Sequence, residues 1–188
     1  KGIKVLVNDQ KDRFYRYRNS SKDGQRILYS RENFREFPDL WVSDPTMSSP
    51  LKISDLNPQI RKLRWGNGSL LSWESVDGKR LQGALFKPEN FDPARKYPVL
   101  VYYYRFMSQR VHRFNQVIIN HRPCFPYYTS NDYIVFLPDI RFDIGRPGYS
   151  AVKCIIPGVQ KLIAMGIANP EAIALHGHSW SGYQTAYV

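Results

Sequence analysis

Cysteine is scarce in this sequence: Cys124 and Cys154 are the two among 188 residues. A chain of this length needs no disulfide staple, so whether they pair stays open, and the cellular compartment with it. There is no C-x-x-C. The four histidines, His112, His121, His176 and His178, form neither H-E-x-x-H nor a zinc-spaced cluster. No metal and no cofactor is therefore expected. Long apolar runs are also lacking. The longest, such as Val99 to Tyr104, are of strand length, which excludes a bilayer-spanning helix. The opening KGIKVLVNDQKDR carries no apolar targeting segment, so any signal peptide is expected to lie outside these residues. Positive charge is plentiful but not concentrated. The net +11 divides into excesses of +3, +4 and +3 over successive fifties and +1 over the remainder. A basic arm of the kind that grips nucleic acid is missing, and nucleic acid is not expected as a partner.

What is present is globular: 43% hydrophobic and 14% aromatic residues, punctuated by thirteen Pro and twelve Gly. Aromatics and turn formers in that ratio favour strands over a helical bundle. Residues 1 to about 60 read as short strands, Val5–Val7, Phe14–Tyr17, Ile27–Tyr29 and Leu40–Val42. They are separated by Asn8-Asp9, Asn19 to Gly24 and Ser43-Asp44-Pro45. From Leu63 the texture changes. Leu70–Ser75 and Leu81–Phe86 flank Asp77-Gly78 and predict a hairpin. Pro98–Tyr104, Tyr133–Leu137 and Ala172–Leu175 are apolar runs expected to be buried on both faces. A helix is predicted over Ala151–Met165 with Val152, Ile155, Ile156, Val159, Leu162 and Ile163 inward and Gly166 as its stop; Pro157 within it predicts a late start or a kink. Asn169-Pro170-Glu171 reads as a turn. Strand, helix, strand in this order implies a parallel crossover and an α/β second part.

The chemistry sits where the third apolar run ends. Gly177-His178-Ser179-Trp180-Ser181-Gly182-Tyr183 matches a G-x-S-x-G nucleophile elbow with Ser181 where glycine is usual. A serine on so sharp a strand-to-helix turn takes a strained backbone, and the positions two residues away must be small, as Gly177 and Ser181 are. The Trp180 amide, at the start of the following helix, is best placed to donate to a developing oxyanion.

Several segments together resemble the prolyl oligopeptidase family of serine peptidases, which includes dipeptidyl and acylaminoacyl peptidases. They are GHSWSGY at 177–183, the strand and loop from Tyr97 to Gln109, Leu137–Arg141 with Gly145–Gly148, and the hairpin carrying Ser72, Trp73, Gly83, Lys87 and Pro88. Residues 1–62, with Phe37-Pro-Asp-Leu-Trp41, resemble the end of that family's β-propeller; 63–188 resemble the first half of its α/β-hydrolase domain. The fold class this implies is a partial α/β-hydrolase preceded by propeller strands. The resemblance implies Ser179 as nucleophile, with Trp180 N–H and the Tyr104 hydroxyl as oxyanion donors, and a peptide as substrate. Asp139 and Arg141 are expected to form an ion pair or anchor a loop. The family's acid and base follow the serine in chain order, and only nine residues follow Ser179. The sequence is therefore expected to be a fragment, inactive alone, whose partners are the remainder of its own chain and, left open, a second copy. Two other readings share the elbow: an esterase or lipase, and a catalytically silent binding protein.

Overall fold

The computed structural model describes residues 3–7, 13–118 and 120–188. It divides into two compact units, residues 1–63 with 112–114, and residues 64–111 with 115–188.

The first unit is a four-stranded antiparallel sheet in sequential order, β1 (Phe14–Ser20), β2 (Ile27–Glu32), β3 (Asp39–Ser43) and β4 (Leu51–Lys52). Tyr29 is buried at its centre, opposite Tyr17 on one side and Trp41 on the other. Turn chemistry sets the corners. The Asp23 carboxylate accepts from the Ser21 hydroxyl and the Gln25 amide while Gly24 supplies a positive φ. The expected strand at Val5–Val7 is irregular backbone instead, and Asn8-Asp9 lie outside the described residues.

The second unit holds a five-stranded mixed sheet of order β5-β6-β8-β7-β9. Its strands are β5 (Asn67–Glu74), β6 (Arg80–Lys87), β7 (Tyr97–Tyr102), β8 (Ile134–Pro138) and β9 (Ala168–His176). β5 and β6 form the expected hairpin. Its connection is longer than a two-residue turn: the Ser75 N–H donates to the Lys79 carbonyl, and Gly78 alone takes a positive φ. β7 runs parallel to both β8 and β9. Two expectations fail at β9. Asn169-Pro170-Glu171 lies within the strand, absorbed where the register jumps from Ala168 opposite Tyr97 to Ile173 opposite Val99. β9 is also half-exposed rather than buried, because it is an edge strand; that position also tolerates a proline without an N–H.

Helices α1 (Phe125–Ser130), α2 (Pro147–Ala164) and α3 (Trp180–Tyr187) complete the unit. α2 starts earlier than expected, with Pro147 in its first turn, and continues through Pro157. Proline deprives the Lys153 carbonyl of its helical donor. Here the Val76 N–H of the hairpin takes that carbonyl at 3.0 Å, and the Trp73 indole donates to the next one, of Cys154, at 2.9 Å. The buried stripe is Ala151, Cys154, Ile155, Gly158 and Leu162 rather than the broader predicted face; Val152, Ile156, Val159 and Ile163 are only half-buried. Gly158 is needed in that stripe: a Cβ there would stand 2.9 Å from Trp73 and 3.0 Å from Phe136, whose rings meet edge to face. Both cysteines are free thiols. Among the described residues no helix is long and apolar enough to cross a membrane.

Lys153 shows how α2 is fastened to the hairpin. Its side chain is 4% exposed and its ammonium donates to Asp77 at 2.8 Å and Asp143 at 2.5 Å. Asp143 and Asp77 hold the Lys153 pKa above its ordinary value. Lys153 in turn holds both carboxyls below theirs, aided at Asp77 by the Ser75 hydroxyl. A depressed carboxyl contributes stability that is complete above the ordinary carboxylate range and lost as pH falls through and below it. The unfolding midpoint is accordingly expected to drop between pH 5 and about pH 2, and Lys153→Met to flatten that drop, in thermal melts across the range. An equally steep acid limb in both proteins would remove Lys153 from the account.

Candidate active site

Parallel strands place their carboxyl ends at one edge of a sheet, where α/β proteins bind ligands. β7, β8 and β9 end at Tyr102, Pro138 and His176. The residues that follow them, Tyr103–Ser108, Asp139–Asp143 and Gly177–Ser179, carry the sequence-predicted site.

Between β9 and α3 the chain reverses within three residues. A Cβ on Gly177 would collide with the Ser181 carbonyl oxygen and the Thr185 hydroxyl, so only glycine fits beneath the first turn of α3. Ser179 then takes φ 56° and ψ −118°. Asn57, by contrast, has a positive φ but lies in the ordinary left-handed well at φ 49° and ψ 49°. The Ser179 conformation belongs to glycine and costs a β-carbon-bearing residue about 1–3 kcal/mol. Its carbonyl is already in helical use, accepting from the Gly182 N–H at 2.9 Å. Among the described residues its hydroxyl has no hydrogen-bond partner, and the residue is exposed.

Ser181 does more than stay small. Fully buried, its hydroxyl accepts from the His178 N–H at 2.8 Å and donates to the His178 carbonyl at 2.9 Å, clamping the turn shut. Two such bonds contribute about 0.5–1.5 kcal/mol each. Thr185 donates to the Ser181 carbonyl at 2.8 Å and meets the buried Tyr103 hydroxyl at 2.8 Å, tying α3 to the end of β7. Burial pushes the Tyr103 phenol up, so it stays protonated as that partner. Gly182 is not constrained: a Cβ there would find its nearest neighbour at 3.8 Å.

Tyr104 lies just past β7 and is 44% exposed. Its segment is shaped by Asp139, whose carboxylate accepts from the Met107 and Ser108 amides at 2.5 and 2.8 Å and from the Ser108 hydroxyl at 2.7 Å. The Ile140 N–H donates to the Arg105 carbonyl at 2.7 Å. Asp139 is thus a loop anchor; the ion pair with Arg141 weighed from the sequence is not formed. Tyr104 and Trp180 line one surface pocket of about 500 Å3 with Phe142, Ile144 and Pro147. Three of the four histidines, His121, His176 and His178, lie together. His176 Nε2 lies 3.2 Å from the His121 carbonyl, and the His121 and His178 rings stack at 4.2 Å. The roles of Ser181, Tyr103 and Thr185 were not read from the sequence. A serine in the glycine position, able to bond neighbouring backbone, was the available signal for the first.

Neither a protein-family model nor a curated protein matches the chain. Solved structures do. A putative dipeptidyl aminopeptidase IV from Bacteroides ovatus superposes with a TM-score of 0.68 at 22% identity, over 92% of this chain and 26% of that one. The Pyrococcus horikoshii acylaminoacyl peptidase gives 0.67 at 20%, over 87% of this chain and 27% of that one. Porphyromonas gingivalis dipeptidyl peptidase 4 gives 0.67 at 18%, over 92% and 26%. The chain has a mixed α/β fold of the kind found in peptidases. More particularly, it is the fold these prolyl oligopeptidase-type peptidases share, and the chain spans about a quarter of their length.

Two comparisons test the turn. Ser179→Gly is expected to unfold with about 1 kcal/mol more free energy than Ser179→Ala, because alanine keeps the β-carbon at a positive φ. Equal or reversed stabilities in urea titrations would mean that no strain resides there. Gly177→Ala is expected to cost more than about 3 kcal/mol. Gly182→Ala, in a helix with open space, stays within about 1 kcal/mol on the stabilising side.

Proposed function

We propose that this chain is part of a serine peptidase of the prolyl oligopeptidase family. Residues 1–62 are read as the end of its β-propeller and 63–188 as the first half of its α/β-hydrolase domain. Ser179 is the nucleophile. The observation that carries this reading is its backbone at φ 56°, ψ −118°, at the head of a strand–turn–helix.

In the proposed reaction the Ser179 hydroxyl oxygen bonds to the scissile carbonyl carbon while its proton passes to a base. The carbonyl oxygen becomes an oxyanion that accepts from the Trp180 N–H and the Tyr104 hydroxyl. Collapse expels the amine, which takes up the proton, and leaves an acyl-serine that water hydrolyses. The base is not among the histidines here, none of which hydrogen-bonds Ser179. Serine at its ordinary pKa is a poor nucleophile, so the 188-residue chain alone is assigned no turnover, and activity belongs to a longer protein. An esterase would use the same turn. The antiparallel sheet of residues 14–52 ahead of it favours the peptidase, since esterases add lids within the hydrolase domain. A silent binding protein is the reading to be excluded by reactivity.

The test uses the longer protein, a fluorophosphonate probe, and a chromogenic peptide amide beside the ester of the same acyl group. Labelling at Ser179, abolished in Ser179→Ala, is expected, together with turnover of the amide. Tyr104→Phe is expected to lower kcat/KM by about 100-fold, the usual cost of one oxyanion donor. A folded protein that takes no label is a silent scaffold. One that turns over the ester alone is an esterase.

A further inference from the structure

A second cavity, of about 330 Å3, lies wholly within the first unit and has no connection to the assignment of Ser179. Strands β2 and β3 pair with Tyr29 opposite Trp41 and Arg31 opposite Asp39. Arg31 is thus the diagonal neighbour of Trp41 on one sheet face. Its guanidinium carbon lies over the indole ring, 3.6 Å from the ring centroid. That cation–π contact holds against the ring a fork that is always charged and carries five donors.

Asp39, Glu36, Lys52 and Arg61 in the wall are paired. The Asp39 carboxylate, with its side chain 8% exposed, receives the Lys52 ammonium at 2.7 Å, the Ser54 hydroxyl at 2.7 Å and the Leu56 N–H at 2.9 Å. Glu36 is held by both ends of the Arg13 guanidinium. Lys52 and Arg61 meet Asp55. Arg31 differs. Among the described residues its guanidinium donates no hydrogen bond, and its Nε is buried. A partly buried cation with an unused fork lacks an acceptor that some other molecule can supply. Phe37, Leu56 and Ile60 supply the apolar part of the lining, beside the polar Asn57 and Arg35.

We propose that this cavity binds a carboxylate carried on an apolar body. The two oxygens pair with the Arg31 fork, and the body packs against Phe37, Leu56 and Ile60. Planar carboxylate oxygens match a planar guanidinium, and a single negative charge is repelled less by neighbouring Asp39 and Glu36 than a dianion would be. The same chemistry occurs in a free arylalkanoic acid and at the carboxyl end of a peptide with a large apolar last residue.

Calorimetric titration of the 188-residue chain separates these. 3-Phenylpropionate represents the free acid and N-acetylphenylalanine the peptide end, each beside its uncharged amide. Both acids are expected to bind at least about tenfold more tightly than their amides, as a charge-assisted bidentate pair implies. Binding of 3-phenylpropionate without N-acetylphenylalanine assigns the site to free acids; binding of both assigns it to peptide ends as well. Arg31→Gln is expected to erase the preference for acid over amide, and Arg31→Lys, which keeps the charge without the fork, to restore only part of it. The acid–amide comparison in the unaltered chain needs no substitution. Equal affinity of acid and amide there overturns the proposal, as does a preference for acid that survives Arg31→Gln.

Discussion

The closeness of α3 to Gly177 is the constraint on which the candidate site depends. With no side chain tolerated at 177, the chain leaves β9 and enters a helix within three residues, and Ser179 absorbs the reversal at a positive φ. A turn this tight would relax if its surroundings let it. Ser181 closes it with a reciprocal pair of hydrogen bonds to the His178 backbone, and Thr185 links the same helix to Tyr103 at the end of β7. The strain at one residue is small beside the burial that opposes its release.

That burial reaches α3 through α2. Gly148, in the first turn of α2, lets the Tyr187 ring approach so closely that a Cβ would stand 2.5 Å from it. α2 is in turn fixed to the sheet by Trp73 and Phe136 against Gly158, and to the hairpin by Lys153. Pro157, which looks like a defect in the helix, frees the carbonyl that the hairpin uses. One chain of contacts therefore runs from the β5–β6 turn through α2 and α3 to Ser179. On the other side of the site Asp139 performs the matching service for Tyr104, setting the loop after β7 from the loop after β8.

The order of elements in the second unit was legible because apolar runs at Pro98–Tyr104 and Tyr133–Leu137 can only be strands that need cover on both faces. Which strand lies at the edge was not, since edge position follows from pairing order; β9 was expected to be buried for that reason. Pro157 misled because a proline's cost depends on what takes up the freed carbonyl, here a residue 77 positions earlier. Ser179, Gly177 and Trp180 were legible as a local pattern. The anchoring of Tyr104 by Asp139 spans more than thirty residues, and the contact of Arg31 with Trp41 depends on strand register. Asp139 was legible as a loop anchor at a strand end, but the segment it holds was not, and the Arg31–Trp41 contact leaves no mark in the local sequence.

The central claim is that Ser179, Trp180 and Tyr104 converge on one reacting carbonyl. A crystal structure of the longer protein after reaction with a fluorophosphonate tests it most directly. The account predicts phosphorus bonded to the Ser179 hydroxyl oxygen, with the phosphonyl oxygen about 2.7–3.1 Å from both the Trp180 nitrogen and the Tyr104 hydroxyl. A phosphonyl oxygen turned away from both donors, or an adduct on another serine, would contradict it.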